Sequence, residues 1–207
     1  KFIRFGSSSV PASFDGSGDY TSGSILQHCT VEYAGFGAVS PGGNATAINL
    51  DQAAPFVDRC SIRHNLDRAL GGSLTSASAA AKITNNTFDD NRHSAVFLSF
   101  VSGGGTLLIS DNTISNTLDY PGSSDDGFGI YASGGSSSAP RTVTISGNTI
   151  TSNAFHGIRV SGPLAASITD NVSNSNGGYG LIVHQSRADL ASASSFTIER
   201  NTFIGNS

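Results

Sequence analysis

A repeat with an apolar residue three before and another two after a fixed anchor, Asn in five copies and Cys in two, lines up seven times along the chain, and no other feature narrows the accessible folds as much. Its anchors are Cys29, Cys60, Asn86, Asn112, Asn148, Asn171 and Asn201. Three residues before them stand Leu26, Val57, Ile83, Ile109, Ile145, Ile168 and Ile198; two after them stand Val31, Ile62, Phe88, Ile114, Ile150, Ser173 and Phe203. Six of the seven copies satisfy both apolar columns. Five residues after the anchors a further column reads Ala34, Asn65, Asn91, Thr117, Asn153, Asn176 and Asn206. Repetition in one direction over this length marks stacked units, each covering its neighbour's apolar face.

The anchor spacings are 31, 26, 26, 36, 23 and 30, too long for a heptad and too irregular for a short-period solenoid. After four anchors a third apolar run follows: residues 95–98, 129–131, 157–160 and 180–183. Each repeat therefore offers three short β-type runs divided by Asn or Gly corners. Tight hairpins between sequence neighbours would not exploit a pattern that repeats in one direction. In-register parallel stacking does, at about 4.8 Å per coil. Composition agrees with narrow buried stripes and a small, polar exterior. Ser 34, Gly 25, Thr 16 and Asn 15 supply 90 of 207 residues, while charged residues make up 13% with a net charge of −4. The balance leaves no basic footprint for nucleic acid and no charge-driven disorder. The chain contains no run of 18 apolar residues, the length a spanning helix needs.

Ile83-Thr-Asn-Asn-Thr-Phe88 and Ile145-Ser-Gly-Asn-Thr-Ile150, with their following Gly-Ile runs, resemble the repeat of right-handed parallel β-helix proteins of the pectate-lyase-like and NosD-like kind. The resemblance covers essentially the whole chain. It implies an all-β, right-handed parallel β-helix solenoid of about seven coils of three short strands, with residues 1–207 as a single domain. The family resemblance, together with only two lysines and abundant Ser, Thr, Gly and Asn, leads us to expect an exported protein, extracellular or on the cell surface. The chain opens at Lys1 within an apolar alternation and closes at Gly205-Asn206-Ser207 on the ladder column. We therefore expect a segment of a longer solenoid, with further coils of the parent chain as its partners.

The repeated asparagines are read as structural. Asn tolerates the left-handed conformation a corner needs, and stacked amides can bond one another and the backbone. Cys29 and Cys60 occupy the same column and are expected as buried free thiols, with a disulfide as the alternative; the 31 residues between them leave room for an excursion around residues 47–50. An outward column of Thr30, Ser61, Thr87, Thr113, Thr149 and Thr202 follows from β propensity and hydroxyl stacking.

Inward positions form the core, so chemistry is confined to outward positions and to loops of variable length. The turn from second to third run varies most. Asn148 to Gly157 spans 9 residues, but Asn112 to Gly129 spans 17, adding Asp119, Tyr120, Asp125 and Asp126. Neighbouring copies bring His64, Asp67 and Arg68, then Asp89, Asp90, Arg92 and His93, then Phe155, His156 and Arg159, then Tyr179. Stacked, these would line one edge as a sugar-binding groove does, with hydroxyl partners, guanidinium groups for carboxylates and rings for stacking. Arg92, His93, Asp119, Tyr120, Phe155, Arg159 and Tyr179 are the candidate substrate-binding residues.

Two functional classes fit. One is a non-catalytic module that binds a polysaccharide or surface glycan, or serves as an adhesive or structural spacer. The other is a polysaccharide lyase or glycoside hydrolase acting on an acidic glycan. Its catalytic candidates are Asp125, Asp126 and His156, with Asp89 and Asp90 second. Asn65-Leu66-Asp67, Asp89-Asp90 and Phe155-His156-Gly157-Ile158-Arg159 resemble pieces of the polygalacturonase set. However, Phe155 replaces its first Gly and Ser161 replaces its Lys. The five histidines lack zinc-ligand spacing and no cofactor is called for; Ca²⁺ is the cation that Asp125 and Asp126 would suit.

Overall fold

The computed structural model describes residues 1–35, 46–74, 80–100, 105–119, 126–134, 141–185 and 194–207. Among them there is no helix, and three parallel sheets run the length of the stack. The first sheet holds Ile3–Phe5, Thr46–Asp51, Arg68–Leu74, Ser94–Phe100, Phe128–Ser133, Ile158–Ser161 and Leu181–His184. The second holds Ile25–Gln27, Phe56–Asp58, Ala80–Thr84, Thr106–Ser110, Thr142–Ser146, Ala165–Thr169 and Ser195–Glu199. The third holds Thr30–Glu32, Ser61–Arg63, Thr87–Asp89, Thr113–Ser115, Thr149–Thr151 and Val172–Asn174. Each coil runs from second sheet to third to first, so the expected parallel β-helix of about seven coils is the observed one. Residues 47–50 are no excursion: they lie in the first-sheet strand of their coil.

Register follows the apolar columns. Ile83 pairs with Val57 and Ile109, and Phe88 with Ile62 and Ile114; all six are at most 1% exposed. A one-residue slip would turn every such side chain to solvent. Each buried Ile or Phe contributes about 2 kcal/mol, so the columns fix the pairing firmly. The outward Thr column stacks as expected, with Thr87 opposite Thr113 and Thr113 opposite Thr149.

The corners correct the sequence reading. The left-handed residue is the one before each anchor, not the anchor itself: φ is 52° at His28, 51° at Arg59, 57° at Asn85, 57° at Asp111, 66° at Gly147, 58° at Asp170 and 54° at Arg200. The reversal aims the next side chain inward, where Asn112 donates to Ile83 O (2.9 Å) and Asn148 Oδ1 (3.0 Å). Its own Oδ1 accepts from the backbone and side-chain nitrogens of Asn86 at 2.9 and 3.0 Å. A second ladder, from Asn65 to Asn91 and from Thr117 through Asn153 and Asn176 to Asn206, repeats this after the third sheet. A left-handed non-glycine residue costs about 1–2 kcal/mol. Several buried hydrogen bonds per corner, each worth about 1 kcal/mol, offset it.

The first two anchors are thiols. Cys29 Sγ and Cys60 Sγ lie 3.0 Å apart and both are free. Burial, then the contact with Cys29, pushes the Cys60 thiol up to about 12. One antiparallel pair, Ser13–Phe14 with Tyr20–Ser22, departs from the all-parallel expectation. Asp15 Oδ1 caps its turn by accepting from the backbone of Ser17 and Asp19, both at 2.9 Å.

Candidate functional site

The outer face of the first sheet concentrates most of the chemistry. Gly71, Phe97, Tyr131 and Arg159 stand in register on four successive strands, the last three half-buried at outward positions between buried neighbours. A Cβ on Gly71 would come within 3.3 Å of Arg68 Cδ. The missing side chain lets Arg68 fold along the face, with its guanidinium carbon 3.7 Å from the Phe97 ring centroid. Phe97 stacks on Tyr131 at 4.4 Å and 30°. Arg159 closes the column, its guanidinium carbon 5.3 Å from the Tyr131 centroid and 5.5 Å from that of Phe128. Two cations thus bracket two stacked rings, an arrangement worth about 1–2 kcal/mol per partly desolvated contact.

Beside this column one imidazole joins three coils. His93 Nδ1 lies 3.0 Å from Asp67 Oδ1, and His93 Nε2 lies 2.6 Å from Asp126 Oδ1 and 3.0 Å from Arg68 Nη2. Each ring nitrogen thus faces a different carboxylate. Burial draws Arg68 below the usual guanidinium range, opposed by the charges of Asp67 and Asp126. The Asp126 side chain is 8% exposed, and its Oδ2 has no hydrogen-bond partner among the described residues.

Further along, Phe155, His156 and Tyr179 form a second stack. His156 lies 3.8 Å from Phe155 and 5.2 Å from Tyr179 between centroids, and its Nδ1 accepts from the Tyr179 backbone nitrogen at 2.9 Å. A Cβ on Gly178 would come within 2.4 Å of His156 Nδ1, so glycine is required for the ring to sit this close. His156 is buried, whereas Tyr179 is 60% exposed.

The structure therefore brings His93, Asp126, Phe155, His156, Arg159 and Tyr179 onto one side of the molecule but separates Asp89 and Asp90 from them. Asp89 accepts from Ser115 Oγ and Asn116 Nδ2 at 2.7 and 2.8 Å. Burial raises its pKa, but those two bonds and the nearby His64 and Arg63 outweigh it and hold the carboxyl low. Asp90 pairs with His64 Nδ1 at 2.8 Å, and that ring stacks on the exposed Tyr33. Arg92 and Asp119 are exposed. Tyr120 and Asp125 fall outside the described residues, so of the two carboxylates expected to suit Ca²⁺ only Asp126 is described. Among the described residues no three of His, Cys, Asp and Glu converge where a metal ion would fit. Phe97, Phe128 and Tyr131 were not among the residues expected from sequence. Phe97 and Tyr131 alternate with core residues Val96, Leu98, Ile130 and Ala132, and that alternation is the signal that would have found them.

A family model described as "right handed beta helix region" matches residues 7–141. No curated protein and no solved structure matches the chain.

Proposed function

The chain belongs to the right-handed β-helix family, and on that scaffold we propose that the outer face of the first sheet binds polysaccharide, outside the cell or at its surface. The observation that carries this reading is the column Arg68–Phe97–Tyr131–Arg159, joined through Phe128 to the second stack with its exposed ring of Tyr179. The exposed ring of Tyr179 offers a face to sugar C–H groups. Arg159 is the group suited to a uronate carboxylate, and Arg92 and Asp119 supply exposed polar contacts at the rim. The carboxylate arrangement supports binding rather than hydrolysis. Glycosidic cleavage needs two carboxyl groups facing each other across a gap that holds the sugar. Asp67 and Asp126 instead grip the two sides of one imidazole, while Asp89 and Asp90 are held by other partners.

One observation favours the enzymatic alternative: the buried Oδ2 of Asp126, without a partner among the described residues, is the kind of atom a catalytic acid presents. A polysaccharide array read for both retention and release of reducing or unsaturated ends separates the two. Retention without release, reduced about tenfold by Tyr179→Ala or Arg159→Ala, is expected from loss of one ring or one charged contact. Release of ends that disappears in Asp126→Asn would replace this reading with the enzymatic one.

A further inference from the structure

The hairpin of residues 13–22 lies against outward side chains of the second sheet. Phe14 meets Phe56 edge-on at 5.4 Å, and Lys82 clamps the hairpin, with Nζ 3.8 Å from the Phe14 centroid and 2.6 Å from Gly18 O. Between hairpin and sheet is a cleft of about 410 Å³, a size usual for small-molecule sites. Tyr20 and Phe56, stacked at 5.9 Å and 23°, contribute its aromatic lining.

Its polar lining is organised by Asp58, which is 2% exposed. Asp58 Oδ1 accepts from Thr84 Oγ1 (2.7 Å) and Asn85 Nδ2 (2.9 Å), and Oδ2 from Gln27 Nε2 (2.8 Å) and Arg59 Nη1 (2.9 Å). Burial works against the charged form, yet these four donors hold the carboxyl below its ordinary range. With its acceptors filled, Asp58 positions its neighbours rather than binding anything itself. Gln27 and Asn85 each keep a carbonyl oxygen and a second N–H, and Arg59, 55% exposed, keeps further donors. These residues come from three successive coils, so the groups are set before any ligand arrives.

We infer that this cleft binds a neutral pyranose ring. Primary amides donate and accept, as sugar hydroxyls do, and stacked rings suit a C–H face. Arg59 is neutralised by Asp58, and Asp19 adds a negative charge at the lining, so no surplus positive charge draws a phosphate or carboxylate. The site stands on the second sheet and draws on none of the first-sheet residues.

Titration of isotope-labelled protein with methyl β-glucopyranoside, methyl β-galactopyranoside and methyl α-mannopyranoside, and with glucuronate as the charged counterpart, tests this through the side-chain amide signals of Gln27 and Asn85. At least one neutral glycoside should shift both signals saturably, with a Kd of roughly 1 mM for a ligand of this size. Arg59→Ala should weaken that response about tenfold, Tyr20→Ala should weaken it further, and Tyr179→Ala should leave it unchanged. Arg59→Ala keeps the test decisive if Tyr20→Ala loosens the hairpin. Any of four results overturns the assignment: no saturable shift with all three glycosides, a stronger response to glucuronate, an unaltered response in Arg59→Ala, or an equal loss in Tyr179→Ala. Only the last would redirect the response to the first-sheet site.

Discussion

The Asn ladders and the outer face of the first sheet are both columns running along the stack, yet they are built on opposite plans. In the ladder the same side chain recurs, because each amide must complete the next one: Asn86 bonds Asn112, Asn112 bonds Asn148, and Asn148 bonds Asn171. On the outer face the occupants change at every step, through Gly71, Phe97, Tyr131 and Arg159. Outward positions need not match their neighbours to keep the stack intact. Residues there are free to differ, and chemistry collects where they do. In a β-helix of this kind repetition marks stability and variation marks function.

Four measurements would break or sharpen that contrast. The largest effect is expected inside the ladder. Asn112→Ala strands Ile83 O and the Asn86 backbone nitrogen, both buried, and should lower unfolding free energy by about 4 kcal/mol in urea. A loss below about 1 kcal/mol would mean that the repeated amides are not what secures the coils.

His93→Leu tests whether the variable face also carries stability. Removing the ring leaves Asp67 and Asp126 without their shared partner and should cost about 3 kcal/mol by the same assay. A neutral result would make the cluster dispensable to the fold and strengthen a purely ligand-directed role.

Next comes pH. Asp58 and Asp89 are held below the ordinary carboxylate range, so their ionised forms contribute stability above about pH 4. That contribution is lost as pH falls through their lowered folded values. The urea midpoint should therefore drop on acidification below about pH 4. In Asp58→Asn the midpoint should already be lower at pH 7 and fall less steeply. Parallel curves for the two proteins would remove Asp58 from the account.

The smallest effect belongs to the outward hydroxyl column. Thr113→Val keeps the β-branched shape on an exposed strand position and should change stability by less than about 0.5 kcal/mol. A larger loss would show that this column, repeated but exposed, behaves like the ladder.

Much of the architecture was legible in the residues. The two apolar columns and two Asn columns identify the second sheet, the third sheet and the corners around them, because their partners always stand at the same place in the next coil. The first sheet was only half legible. Four of its strands follow a recurring apolar run, but Thr46–Asp51 lies beyond a longer interval and reads as an excursion until it is seen paired between Ile3–Phe5 and Arg68–Leu74. The candidate site was legible as a collection of polar and aromatic residues in one turn, not as an arrangement. Nothing in the spacing separates Asp90, bound to His64, from Asp126, bound to His93.

The sequence by itself determined the repeat, the number of coils, which side chains point inward and which columns consist of amides. Those properties follow from a two-residue alternation and from identical neighbours one coil away. Only the tertiary structure decided that the left-handed residue precedes each Asn, that two thiols meet at 3.0 Å, and that a hairpin lies over the second sheet to form a cleft. It also decided that Arg68 reaches Phe97 across a glycine. The physical reason is the same in each case. Inward columns are fixed by burial, which the local pattern records, whereas outward contacts depend on the length and path of each corner, which vary from coil to coil.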